Sequence, residues 1–303
     1  MDDIRVFRRI YTIVAVLTAS AATLTVAHAQ PGIEVVLVAR AMQPGEVVRV
    51  EVTCACGEVG PRARAFGLDV PLALSPDGAR WQGLVGLDVD VVPGVYALVV
   101  DVPHQQDARP RETPLRVHPK QFSTRVLRVS PEFVDPPADL LDRARREASL
   151  LERLFKTITR RAWDRPFGLP LTSPPTHNFG SRSVFNAQRR NPHAGIDFNS
   201  PAGTVVIAPA AGTVVLASDL FFTGNTVVID HGAGLYSLLA HLSSMTVAMG
   251  DVVSVGTELG HVGATGRATG PHLHWGVRLN GARVDPLSLI VATNEHLEPR
   301  AGR

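Results

Sequence analysis

Lysine is nearly absent: Lys120 and Lys156 are the only two among the 30 basic residues of this 303-residue chain. Against 28 acidic residues the formal net charge is +2, which leaves no basic footprint for nucleic acid and no pull towards an anionic membrane surface. The arginine bias is read as genome composition. Cysteine is as scarce. Cys54 and Cys56 stand in C-x-C spacing with no second pair, which excludes a zinc ribbon. Neighbours that close make a small local ring, so a structural pair is expected there and not a metal or redox centre. No H-E-x-x-H occurs, which excludes a helical zincin site. Disorder is excluded as well. Hydrophobic residues make up 45% and charged residues 19%, a globular composition in a chain long enough for two cores.

What the chain does have at its start is an export pattern. Arg5, Arg8 and Arg9 precede an uncharged, largely apolar run from Ile10 to Val26, and Ala27 and Ala29 supply an A-x-A cleavage site. Residues 1–29 are read as a signal peptide, leaving a mature start at Gln30 and no stable membrane span. An uncleaved anchor is the rival reading, since the run approaches spanning length. The expected location is the periplasm or cell envelope, or outside the cell.

The body of the chain reads as mainly β. From Pro31 to Val117, runs such as "VVRVEVTC" and "GVYALVVDV" are separated by "QPGE", "SPDGAR" and "VVPG" turns. Residues 30–130 are expected to form a small Ig-like β-sandwich with an accessory role. Residues 136–162 change character: Leu140, Ala144, Ala148, Leu151, Phe155 and Ile158 fall at helical spacing with charges between them. An amphipathic linker helix is expected there. Residues 165–292 return to Val-rich strands and Gly turns, with no helical pattern of consequence, and 293–303 is a tail.

The chemistry concentrates in this last part. "GPHLHWGV" carries His272 and His274 two apart, so on a strand both imidazoles share a face. Upstream, "NPHAGIDFNSPAGT" carries His193 and Asp197 four apart, in a setting of Pro and Gly that favours a turn entering a strand. Imidazole nitrogen and carboxylate oxygen suit Zn²⁺ at about 2.0–2.2 Å, and one more imidazole would complete three protein ligands with a fourth position open. Six other histidines, His104, His118, His177, His231, His261 and His296, are read as surface, core or turn residues.

Three separated elements occur together here: His193-x-x-x-Asp197, "LAHLSS" around His241 and "TGPHLHWGV" around His274. With "FGSR" at Phe179 to Arg182, they resemble the LytM-type peptidases of the M23 metallopeptidase family over roughly residues 165 to 290. That resemblance implies a small antiparallel β domain holding one Zn²⁺ per chain on His193, Asp197 and His274. His241 and His272 would be the non-ligand catalytic histidines. It also implies a zinc metalloendopeptidase that hydrolyses peptide cross-links or stems of bacterial peptidoglycan. One departure is visible: many relatives carry an aromatic two residues before the central histidine, where this chain has Leu239, a difference expected to bear on groove shape and cleavage preference.

Two rival readings compete with this one. "MTVAMGDVVSVGTELG" resembles biotinyl and lipoyl carrier domains, but no lysine follows Lys156 to carry the group. The other is a LytM-like non-catalytic regulator that binds and activates a cell-wall amidase. Members of that class have lost metal ligands, whereas every one is present here. The N-terminal half remains available to an envelope protein partner, and a fragment starting near Asp164 is expected to keep zinc and cleave small muropeptides.

Overall fold

The computed structural model describes residues 32–56, 59–103, 109–127, 137–185, 188–189 and 191–294. The expected signal peptide, most of the tail, His104 and His296 lie outside them. The first half contributes β1 (Glu34–Val38), β2 (Val47–Thr53), β3 (Arg62–Ala65), β4 (Leu68–Val70) and β5 (Ala73–Leu74). Then come β6 (Trp81–Gly86), β7 (Gly94–Asp101), β8 (Arg111–Val117) and β9 (Thr124–Leu127). Two antiparallel sheets, ordered β1-β2-β6-β5 and β4-β3-β7-β8, enclose one core. Alternation along the strands builds it: Val48, Val50 and Val52 of β2 meet Leu98 and Val100 of β7 and Leu115 of β8. The two sheets pack face to face as a small β-sandwich. Cys54 and Cys56, just past β2, are joined to each other by a disulfide.

Helix α1 (Ala138–Leu154) is shorter than the stretch its periodicity marks out. Past its end, Thr157-Ile158-Thr159 is a β-branched run that favours extended backbone. The sheet captures that run. Tyr236 donates its hydroxyl to Thr157 O (2.6 Å), Ala233 N–H donates to Thr159 O (2.8 Å), and the Thr159 hydroxyl donates to Asp230 (2.8 Å). Ile158 is exposed as a result, as is Ala148. Phe155, Leu151 and Leu154 pack with Leu216, Leu220, Val228 and Tyr236 on the outer face of the second sheet system.

That system begins with β10 (Arg182–Phe185), β11 (Gln188–Arg189), β12 (Gly195–Phe198), β13 (Val205–Ile207), β14 (Gly212–Leu220) and β15 (Gly224–Gly232). It continues with β16 (Leu235–Met245), β17 (Val252–Val253), β18 (Glu258–Val262), β19 (Leu273–Leu279) and β20 (Ala282–Val284). Nine of these strands form one antiparallel sheet along the path β12-β19-β16-β15-β14-β17, with β13, β18 and β20 paired at its sides. A parallel pairing of β9 with β10 ties the two halves.

The strand-and-turn reading of the second half omits helix α2 (Pro286–Thr293). Asp285 caps it by accepting from Leu287 N–H, and Pro286 pre-sets its first turn. This helix docks on β2. Val47 N–H donates to Ser288 Oγ (2.8 Å), and Arg49 donates to the carbonyls of Asn294 (2.9 Å) and Ala292 (3.3 Å) at the helix end. Arg40 bridges Asp285 (2.6 Å) and Glu46 (2.8 Å), while Val47 and Val89 enter the core of the second half.

Candidate metal centre

Strand register brings the first two residues together. Asp197 on β12 stands opposite His274 on β19, whose other neighbour is Ala240 on β16. Residues directly opposite in an antiparallel pair share a face. His193 reaches them from the turn before β12, where its N–H donates to Ser181 O (2.9 Å) and its carbonyl accepts from Gly180 N–H (2.8 Å). Gly195 keeps the space clear. A Cβ there would collide with the Trp275 carbonyl and the His274 ring.

His193 Nε2, Asp197 Oδ1 and His274 Nδ1 form a triangle with edges of 3.0, 3.0 and 3.1 Å. A tetrahedral zinc with bonds of about 2.0–2.1 Å sets neighbouring ligand atoms roughly 3.3 Å apart, so the triangle needs only slight expansion. Two neutral imidazoles and one carboxylate are also the donor chemistry that ion takes. The three residues fit it, and they are the one such group among the described residues.

Two of the three ligand atoms, those of His193 and Asp197, are presented by a bond on the far side of the same side chain. The His193 ring holds Nδ1 against Asn178 O (3.3 Å), which leaves Nε2 free. Asn178 Nδ2 donates to Asp197 Oδ2 (2.7 Å), which turns Oδ1 towards the two imidazoles. Burial would raise the Asp197 carboxyl, but hydrogen bonds and charge from His193 and His274 hold it well below the usual carboxylate range. Burial pushes His274 down, partly offset by its bond to Asp197. Both shifts favour the deprotonated forms that bind metal.

Two further imidazoles stand beside the triangle. The His241 ring centre lies 6.2 Å from that of His274 and 4.7 Å from that of His272. His241 Nδ1 meets Thr265 O and His272 Nδ1 meets Gly270 O, each at 2.8 Å, so both rings carry their proton on Nδ1 and offer Nε2. Burial lowers the pKa of His241 to about 4, so it is neutral at pH 7.

The sequence pattern of Peptidase family M23 matches residues 191–286, which include all five of these residues. A crystal structure from Pseudomonas aeruginosa described as a peptidase M23 superposes with a TM-score of 0.66 at 36% identity, covering 83% of this chain and 96% of that one. The chain belongs to the M23 peptidase family. Over 103 residues it is 45% identical to the DD-carboxypeptidase/endopeptidase Mpg of Neisseria meningitidis, covering 34% of this chain and 24% of that protein. Over 111 residues it is 40% identical to the peptidoglycan DD-endopeptidase ShyA of Vibrio cholerae, covering 36% and 26% respectively. The match thus spans about a quarter of the length of these curated relatives.

Within the M23 half, several residues fall outside the site. His231 is fully buried, bonded to Ala211 O (2.8 Å) and Ser237 Oγ (2.9 Å); burial lowers its pKa to about 4. It is a core residue on β15, not a turn residue. His261 pairs with Ser244 Oγ (3.0 Å), and Trp275 and Tyr236 are core. Arg182 spends its charge on Asp90 (2.6 Å). Leu239 is fully buried, opposite Val227 and Trp275 in the core. Its departure from an aromatic therefore bears on packing, not on the groove. Asn178 and Thr265 carry no signal of their role in the sequence: Asn178 directly precedes "FGSR", but it meets His193 through a backbone carbonyl that every residue possesses, and Thr265 meets His241 in the same way.

Proposed function

We propose that this chain is an exported zinc metalloendopeptidase that cuts peptide cross-links or stems of bacterial peptidoglycan. The observation that carries the reading is the ligand triangle of 3.0–3.1 Å with two non-ligand Nε2 groups beside it. Bound zinc would supply a Lewis acid and a nucleophile available at neutral pH. His193, Asp197 and His274 would hold it, the first two already turned by bonds to Asn178 on their far sides. His241 and His272 would move protons between nucleophile, substrate and leaving amine through their free Nε2 atoms. The relatives' names support peptidoglycan as the substrate class, and residues 1–29 support export. No described helix is long and apolar enough to cross a membrane.

The test is digestion of defined cross-linked muropeptides with zinc-loaded mature protein, read by mass spectrometry. New fragments at one peptide bond are expected. A folded, zinc-bound protein that releases none, yet stimulates a cell-wall amidase, would establish the regulator reading instead.

A further inference from the structure

We infer that Thr265 is a positioning residue that holds His241 in catalytic register through its hydroxyl and its carbonyl together. The inference rests on the catalytic reading of His241 given above. His241 has φ of 64°, the left-handed region that a side chain enters only when its surroundings enforce it. It also sits at a bulge: Asn225 pairs with Leu242 and Val227 with Leu239, so β16 carries one more residue than β15 between these pairs. A bulge re-aims a side chain, and something must fix it.

Two loops do so. His241 N–H donates to Thr223 O and its ring Nδ1 donates to Thr265 O, both at 2.8 Å. The Thr265 hydroxyl then donates to Leu242 O (2.8 Å), on the residue next to His241, and accepts from Asn225 N–H (2.9 Å) across the bulge. One residue thus grips the ring, the adjacent peptide and the partner strand. Arg267 N–H on Phe222 O (2.9 Å) locks the loops to each other, and the Thr226 hydroxyl on the Thr223 hydroxyl (2.8 Å) braces the first of them from within. They touch backbone to backbone. A Cβ on Gly224 would collide with Thr265, and one on Gly266 would collide with Gly224. Removing the hydroxyl leaves Leu242 O and Asn225 N–H without this partner and frees the bulge to relax, which swings the imidazole.

The experiment measures kcat and KM on a soluble cross-linked muropeptide for the zinc-loaded full chain and its Thr265→Val, Thr265→Ala and Thr265→Ser variants, with His241→Ala as reference. Thr265→Val keeps the shape, Thr265→Ala makes no steric demand, and Thr265→Ser keeps the hydroxyl. Removing the hydroxyl should lower kcat about 10- to 100-fold, the effect of misplacing a catalytic group. KM should change by no more than about two-fold, and bound zinc should stay near one per chain. Thr265→Ser should recover most of kcat. In ¹⁵N spectra the His241 proton should stay on Nδ1 in Thr265→Ser and spread to both nitrogens in the other two. Wild-type kcat in a folded Thr265→Val or Thr265→Ala, or a Thr265→Ser as slow as those, overturns the inference. Full activity in His241→Ala overturns the catalytic reading itself, a separate result.

Discussion

Asn178 organises two of the three candidate ligands at once. Its carbonyl faces His193 Nδ1 (3.3 Å) and its amide donates to Asp197 Oδ2 (2.7 Å). Partners of this kind set the orientation and basicity of a ligand. Asn178→Ala keeps the carbonyl and loses the amide, so zinc affinity should fall about 10- to 100-fold, read by competition with a chelator. Unchanged affinity would mean the strands alone hold Asp197. The candidate ligands and both catalytic candidates were legible in the sequence because their three motifs together resemble the M23 family; imidazole and carboxylate chemistry alone would not have singled out His241 among eleven histidines. Asn178 and Thr265 were not, because each acts in part through a carbonyl that every residue possesses. Which carbonyl meets which ring is decided by loops folding against each other.

At the scale of elements, α1 does more than link. Glu147 accepts from Phe221 N–H (2.7 Å) at the start of the loop that reaches Thr223, the residue whose carbonyl takes His241 N–H. Arg143 holds both Glu147 (2.6 Å) and Asp219 (2.9 Å). Glu147→Ala should cost about 1–3 kcal/mol in unfolding free energy, and Glu147→Gln, which keeps an acceptor oxygen, should cost less. Denaturant unfolding of both variants checks this, and equal losses would point to charge instead of the hydrogen bond. The helix was legible from its apolar spacing, but its end was not, since the sheet's hold on Thr157 and Thr159 is tertiary. Helix α2 escaped for another reason. "PLSLIVAT" is covered on most sides and so lacks the two-faced pattern that marks a surface helix.

At the scale of the whole molecule, β2 is the joint. Its sequence, "VVRVEVT", alternates as a strand with one solvated face does, yet both faces are buried. Val48, Val50 and Val52 enter the sandwich core, while Arg49 and Glu51 form a buried ion pair (2.9 Å) beside α2. Alternation cannot distinguish a polar face turned to water from one turned to the end of a helix. A fragment starting at Asp164 would lose Arg40, Val47, Arg49, Val89 and α1 together. The sequence leads one to expect a self-sufficient fragment; the packing predicts an unfolding midpoint lower by roughly 10 °C or more, as several kcal/mol lost from a domain of that size would give. A fragment melting with the full chain would show the joint to be dispensable. The function proposed above divides the labour between neighbours on this scaffold: His274 would hold metal and His272 would move protons. The most direct test is zinc content and muropeptide cleavage measured side by side in His274→Ala and His272→Ala, with circular dichroism confirming the fold. The account predicts that His274→Ala loses zinc and activity, whereas His272→Ala keeps about one zinc per chain and loses about 10²–10⁴ in rate. Equal loss of zinc from both folded variants, or full activity in either, would contradict it.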